Sequence, residues 1–173
     1  MPSPIAHSVT GYAISKFFPL WGKVIPGSGK SIIPVFFIIF VANAADLDFI
    51  PQLLTGQNYH HGLTHSLTFA LCFSGIMGLI SYFFCKPLYM RLFWLTFAVY
   101  NSHLFLDCLT IGSRGIKILW PFKESLFSLP ISIFPGVHYS QGLLHCSHFI
   151  FIGFELAYSA LLFWSLWKWK VYL

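Results

Sequence analysis

Long apolar runs separated by short polar stretches set the pattern of this chain. A helix that spans a membrane needs about 20 mostly apolar residues. A shorter run, residues 31–45, spans a membrane only if Asp46 and Asp48 lie within the membrane's thickness. Residues 4–20, interrupted by a lysine and a proline, predict a tilted or half-inserted helix. Three runs meet the length requirement without such conditions: residues 63–84, 92–111 and 148–167.

The connection between residues 111 and 148 is of a different kind. It is rich in Pro, Gly and Ser and carries many aromatic side chains. We expect it to lie in the membrane interface or to fold back over the helices. The predicted fold is therefore an all-α, polytopic membrane helix bundle of four to five transmembrane helices with a Pro/Gly-rich interfacial segment. It forms a single domain over residues 1–173.

Composition points to the same class of protein. The chain is 57% hydrophobic and 9% charged, with a mean hydropathy of +0.73. Soluble domains carry about 25% charged residues, so this chain could not cover a surface that faces water. The net charge of +5 is spread along the chain, which suits anionic lipid headgroups and argues against a nucleic-acid partner. The N-terminus lacks a basic region before an apolar run, so we expect no cleaved signal peptide.

Basic residues predict the orientation of the bundle. With four spans, seven lysines and arginines fall on one side of the membrane and three on the other. Cytoplasmic loops carry the excess of basic residues. The side with seven is therefore predicted to be cytoplasmic, and the segment YHHGLTHSL at residues 59–67 faces the other side.

Ionisable residues fall at one depth of the predicted bundle. Asp46, Asp107 and His7 each lie sixteen residues from a basic residue at the cytoplasmic end of the same segment, which is about 24 Å of helix. Two pairs of residues support this convergence, because residues four apart share a helix face. One pair is His61 with His65 at a predicted helix start, and the other is His103 with Asp107. Ionisable residues inside a membrane mark functional sites by default.

The layer has the composition of a metal site. Asp46 and Asp48 have no Lys or Arg at their depth, and two buried acids without a cation are destabilising. Both can reach one site if the helix unwinds between them. Histidine nitrogens with aspartate oxygens suit zinc, manganese or iron. The candidate ligands exceed the needs of one ion, and two ions that share a carboxylate would use them: His7, Asp46, Asp48, His60, His61, His65, His103 and Asp107.

Structural roles are the alternative for several of these residues. Asp107 can pair with a histidine as a polar contact between membrane helices. His7 and His60 can be capping or interface residues. Glu155 can orient a metal-bound histidine, transfer protons, or be a packing residue held by hydrogen bonds. It belongs to a second polar group at the start of the last helix, with His138, His145 and His148.

Four short motifs follow one another over the first two thirds of the chain, to about Phe122. They are PIAHSVTGYAIS at residues 4–15, DLDFIP at 46–51, HHGLTHSL at 60–67 and SHLFLDCLTIGSRGIKILWPF at 102–122. Together they resemble the YdjM family of bacterial inner-membrane proteins, which are described as membrane-bound, metal-dependent hydrolases. DLD and HHGLTHS are also similar to motifs of zinc-dependent phospholipases C. The resemblance implies that Trp120 and Pro121 shape a lid over the site. It implies metal-ligand roles for His7, Asp46, Asp48, His61, His65, His103 and Asp107.

Residues and resemblance together predict a metal-dependent hydrolase of the bacterial inner membrane. One or two divalent ions, zinc first with manganese or iron as alternatives, would activate water and polarise the scissile group. Asp48 is the predicted general base, with His65 as a second catalytic residue. The predicted substrate is an ester or phosphoester, of a membrane lipid, reached near the non-cytoplasmic face and covered by the aromatic segment that includes Phe122 and Phe127.

Two other classes of function use the same cluster. A divalent metal or proton transporter would use it as a transit site, and it would need polar groups along the whole depth of the membrane. A membrane interaction protein would hold a structural metal with closed coordination. The apolar cytoplasmic halves of the predicted helices favour a one-sided site and hence the hydrolase. No GxSxG motif or Ser-His-Asp order suggests a nucleophilic serine.

Overall fold

The computed structural model of the chain describes residues 2–18, 32–56, 61–84, 86–111, 115–136 and 146–169. These residues form helices and connections, and the described part contains two isolated β-bridges but no longer strand. The predicted all-α class is therefore confirmed. The α-helices are α1 (Pro4–Ser15), α2 (Ile33–Asn43), α3 (Phe49–Thr55), α4 (Leu67–Phe84), α5 (Tyr89–Cys108) and α6 (Cys146–Lys168). Short 3-10 helices lie at Ala44–Asp48, Leu63–His65 and Lys86–Leu88.

Among the described residues, three helical stretches are long and apolar enough to cross a membrane: Ile33–Thr55, Leu67–Phe84 and Cys146–Lys168. The first contains Asp46 and Asp48, so the two acids lie inside a candidate span, as the short apolar run required. α5 is long enough, with 20 residues, but it carries several polar residues and does not meet the same criterion. The count of four to five spans stays a prediction.

The segment that contains Asp46 and Asp48 stays helical because it changes from α to 3-10 geometry without unwinding. Asn43 departs from α geometry at φ −112°, the 3-10 turn Ala44–Asp48 follows, and α3 begins at Phe49. Pro51 lies in the first turn of α3, where a missing N–H is tolerated. Gly56 ends α3 in the left-handed conformation at φ 70°.

α5 is the central helix of the bundle. α4 packs along it, and α1 and α2 pack against it and against each other. Val41, Leu95 and Val99 are fully buried where these helices meet. Gly11 permits the close approach of α1, since a Cβ atom there would lie 3.0 Å from both Ala42 Cβ and Val99 Cγ1. Small residues of this kind let membrane helices pack tightly.

α6 attaches to the bundle through polar contacts with α1. The Glu155 carboxylate accepts hydrogen bonds from the backbone N–H and the hydroxyl of Ser3, which is the N-cap residue of α1. The Tyr158 hydroxyl lies 2.8 Å from Thr10 Oγ1. Of the three roles that the sequence left open for Glu155, the structure shows the hydrogen-bonded packing residue. It fixes the start of the helix that carries His7.

The segment of residues 115–136 folds back over the ends of α4 and α5, as one of the two predicted arrangements had it. Ile118 O accepts a hydrogen bond from the first residue of α4, Leu67, at 2.9 Å. Ile116 and Phe127 exchange backbone hydrogen bonds at 3.0 and 2.9 Å. Gly115 makes this possible at φ 85°, since a Cβ atom there would lie 2.7 Å from Phe127 O. The side chain of Phe122 is 88% exposed and faces outward.

Candidate metal centre

Five ionisable residues from four elements meet in the interior of the bundle. α1 brings His7, the 3-10 turn after α2 brings Asp46, the 3-10 turn before α4 brings His65, and α5 brings His103 and Asp107. The three histidines and Asp107 are each at most 1% exposed, whereas the Asp46 side chain is 18% exposed. The predicted convergence of these groups in one layer is therefore present in the structure.

Two carboxylates lie at the centre of the cluster. His65 Nε2 is 3.6 Å from Asp46 Oδ1 and 3.3 Å from Asp107 Oδ2. His103 Nε2 is 3.5 and 3.2 Å from the same two oxygens. His7 stacks on His103 with 3.8 Å between ring centroids, and its Nε2 is 3.6 Å from Asp107 Oδ1. Asp107 thus faces three histidines, and each presents the same ring nitrogen to it.

Acceptors outside the cluster fix the other nitrogen of three histidines. His103 Nδ1 donates to Ala42 O at 2.7 Å, and His61 Nδ1 donates to Gly115 O at 3.1 Å. His65 Nδ1 lies 3.1 Å from Asp48 Oδ2. A neutral imidazole with its proton on Nδ1 presents a lone pair at Nε2, which is the arrangement of metal-ligating histidines.

Several buried polar atoms at the centre have unmet hydrogen-bonding capacity. Among the described residues, both oxygens of Asp107, both nitrogens of His7 and Nε2 of His103 lack an aligned hydrogen bond. Buried polar groups are nearly always satisfied, and each exception calls for an explanation such as an ion. A cation between these lone pairs would satisfy them together, so the donor set fits a divalent metal.

The ligand atoms form three overlapping groups, and within each group they lie within 4.8 Å of one another. Because the groups share His65, His103 and Asp107, they describe neighbouring positions and not separate sites. Each combines imidazole nitrogens with a carboxylate, a set suited to zinc and similar metals. The three groups are His7, His103 and Asp107; Asp46, His65 and His103; and His61, His65 and Asp107.

The prediction that His61 and His65 share one helix face is wrong. His61 lies in a turn with φ 67°, His65 ends a three-residue 3-10 helix, and α4 begins only at Leu67. The two rings still approach, with 5.0 Å between centroids, because the turn folds His61 towards the bundle. The predicted pair of His103 and Asp107 on one face of α5 is confirmed by their contact of 3.2 Å.

Other predicted residues take different places. Asp48 lies on the far side of His65, at Nδ1, and belongs to none of the three ligand groups of the described chain. The helix does not unwind between Asp46 and Asp48, as a shared site for both would have required, but tightens to a 3-10 turn, and the two acids reach opposite nitrogens of one ring. His148 lies in the first turn of α6 and belongs to none of these groups. His60, His138 and His145 lie outside the described residues.

Thr64 and Tyr100 also contact the site, and the sequence patterns did not indicate them. The Thr64 hydroxyl donates to Asp48 Oδ2 at 2.8 Å, and the Tyr100 hydroxyl donates to Thr64 O at 2.7 Å. A threonine beside a histidine and a tyrosine in an apolar helix are common, so their spacing carries no signal. Only the packing of α5 against the turn brings them together.

These features define a class of protein, a helical membrane bundle whose buried His/Asp cluster can hold a metal ion. The sequence profile of the YdjM inner membrane protein family matches residues 1–172, so the chain belongs to this family. The match extends beyond Phe122, where the sequence motifs ended, and includes α6.

One curated relative is similar over most of its length. The chain is 30% identical over 132 residues to "Inner membrane protein YbcI" of Escherichia coli (strain K12), which covers 75% of this chain and 73% of the relative. No solved structure matches the chain. Both names agree with the predicted location in the inner membrane. The similarity to phospholipases C stays a prediction.

Proposed function

We propose that the cluster binds one or two divalent metal ions and hydrolyses an ester or phosphoester of a membrane lipid. The observation that carries the proposal is the shared orientation of His61, His65 and His103. In each of these histidines Nδ1 contacts an acceptor outside the cluster. In His65 and His103 this orientation directs Nε2 towards Asp46 and Asp107.

Different residues of the cluster would hold two neighbouring metal positions. His7, His103 and Asp107 would hold one position, and Asp46 and His65 with His103 a neighbouring one. When bound, a divalent ion polarises the scissile group and makes water acidic enough to supply a nucleophile near neutral pH. Asp107 is suited to face both positions, since Oδ1 lies towards His7 and Oδ2 towards His65.

Two aspartates receive different roles in this proposal. Asp48 accepts from Nδ1 of His65, and this contact orients the ring and raises the basicity of Nε2. We assign Asp48 this orienting role instead of the predicted role of general base. Asp46 is the more exposed carboxylate of the cluster, and its Oδ1 faces His65 and His103, so we propose that its other oxygen exchanges protons with the entering water.

Apolar surface beside the site supports a lipid substrate. α3 follows Asp48 directly, and its side chains Leu53 and Leu54 are 87% and 80% exposed. Phe122 in the segment that folds over the ends of α4 and α5 is also exposed. An amphiphilic substrate could keep its acyl chains against these residues while its polar group meets the cluster.

The distribution of buried polar residues supports a one-sided site over a transport path. In the described part of the chain, the buried ionisable residues lie in the cluster or beside it, except Glu155, which binds Ser3. Towards the other end of α4 and α5, the buried polar residues are hydroxyls such as Ser81 and Thr96. A transporter needs polar groups along the whole depth.

The hydrolase proposal is tested on purified protein in mixed micelles with zinc or manganese. We expect release of a headgroup or fatty acid from a phospholipid or lipid phosphate. His65→Ala and Asp46→Asn should abolish the release, because each removes an atom that faces the centre. His148→Ala, a histidine outside the ligand groups, should keep it.

The outcomes separate the classes of function. Turnover of water-soluble phosphoesters without turnover of any lipid would contradict the lipid substrate but not the hydrolase activity. Absence of turnover over a broad panel, together with metal transport into liposomes, would replace the hydrolase by the transporter.

The orientation of the site is tested by cysteine labelling. We expect the site to face the non-cytoplasmic side, so Glu124→Cys, in the segment over the site, should react with a membrane-impermeant thiol reagent in intact cells. The background lacks the four native cysteines at positions 72, 85, 108 and 146. Lys168→Cys at the far end of α6 should react only after the membrane is opened. The reverse pattern would place the site on the cytoplasmic side.

A further inference from the structure

We propose that Tyr100 and Thr64 are positioning residues that hold His65 against the metal ligands of α5. The inference rests on the proposed metal centre and adds two residues that are not themselves metal ligands. Tyr100, Thr64, Asp48 and His65 form a chain of contacts that begins on α5 and returns to α5 at Asp107.

His65 requires such support because its backbone provides little. It ends a 3-10 helix of three residues, Leu63–His65, and Ser66 after it is extended at φ −125° and ψ 152°. The preceding His61 is in the left-handed conformation. A single 3-10 turn has poor hydrogen-bond geometry, and the extended Ser66 separates it from α4, which begins at Leu67. The ring is nevertheless fully buried at the centre of the cluster.

Tyr100 anchors this turn to the central helix. Its hydroxyl donates to Thr64 O at 2.7 Å, and its side chain is fully buried. The ring packs against both Phe69 and Phe73 of α4, with centroid distances of 6.1 and 5.4 Å. Burial and these ring contacts therefore position the hydroxyl, and its hydrogen bond holds the carbonyl of the residue next to His65.

Thr64 connects the Tyr100 hydroxyl, which binds its backbone carbonyl, to the His65 imidazole, which lies near its side chain. Its hydroxyl donates to Asp48 Oδ2 at 2.8 Å and lies 3.2 Å from His65 Nδ1. The same carboxylate oxygen faces His65 Nδ1 at 3.1 Å. Held in this way, Asp48 accepts a hydrogen bond from Nδ1–H of His65, and Nε2 of the neutral ring is left as the ligand atom.

The chain of contacts closes because α5 presents its residues on one face. Tyr100, His103 and Asp107 are three and four residues apart, which places them on neighbouring turns of the same face. His65 Nε2 returns to Asp107 Oδ2 at 3.3 Å. α5 thus supplies two ligands and also sets the position of a third that lies on another element.

Cobalt(II) binding tests the inference, because the absorption bands of cobalt report coordination geometry. Purified protein in detergent is titrated with cobalt and then with competing zinc. We expect Tyr100→Phe and Thr64→Val to weaken binding by about tenfold and to shift the visible bands. Thr64→Ser keeps the hydroxyl and should restore both. Thr96→Val, at a buried threonine of α5 about two helical turns before His103, is the matched control and should match the wild type.

Each outcome bears on one statement. Wild-type affinity and unchanged bands in both Tyr100→Phe and Thr64→Val would overturn the inference and leave the metal centre intact. A wild-type protein that binds neither cobalt nor zinc would overturn both the inference and the proposed metal centre. Equal losses of cobalt affinity in Thr64→Val and Thr64→Ser would also overturn the inference about positioning, since the hydroxyl would then be irrelevant.

Discussion

Replacing Asp107 by Asn is expected to abolish the gain in thermal stability that zinc gives the wild-type protein. Asp107 is the carboxylate that faces His7, His65 and His103, and Asn in its place lacks the negative charge and one of the two ligand oxygens. An ion that binds only the folded state stabilises it by about 2.7 kcal/mol at a hundredfold excess over its Kd. The melting temperature in detergent, measured with zinc and with a chelator, gives the difference directly.

The neighbouring residue supplies the control for this experiment. Cys108→Ala changes a buried side chain at the same helix end, and Cys108 is absent from the three ligand groups. It should keep the zinc-dependent gain. If Asp107 instead served only as a polar contact between helices, Asp107→Asn would destabilise the chelated protein, and zinc would stabilise neither protein. That result would contradict the metal centre.

Gly11→Val is expected to give the second large effect, a loss of both stability and metal binding. Its side chain would meet Ala42 and Val99, whose atoms lie 3.0 Å from the position of the first added carbon. Overpacking of this kind costs about 1–3 kcal/mol. Because His7 lies one turn before Gly11 on α1, a displaced helix also withdraws His7 from Asp107. Thermal unfolding and zinc titration measure the two effects.

Two further variants make the Gly11 prediction specific. Gly75→Val places the same side chain on α4, where nothing lies within 4 Å of the added Cβ atom, and should have little effect. Ala42→Gly removes one of the two atoms that lie 3.0 Å from the added carbon, so it should partly rescue Gly11→Val in a double-mutant cycle. Equal losses in Gly11→Val and Gly75→Val would show that the packing of α1 is not the cause.

Local periodicity was enough to predict part of this protein. Apolar runs gave the helices Leu67–Phe84 and Cys146–Lys168 to within a few residues at most ends. His103 and Asp107 could be paired from their spacing, because residues four apart on an α-helix are neighbours whatever the surroundings. The shared depth of His7, Asp46 and Asp107 followed from the rise per residue of a helix.

Tertiary structure decided the roles within the site. Sequence alone could not show that Asp48 meets Nδ1 of His65 while Asp46 meets Nε2, because a 3-10 turn and the placement of a second element determine which oxygen reaches which nitrogen. His61 reaches the cluster through a left-handed turn held by Gly115. Tyr100 and Thr64 lie 36 residues apart. Their contact depends on how α4 and α5 pack, and no local pattern in the chain encodes the direction of a side chain across such an interface.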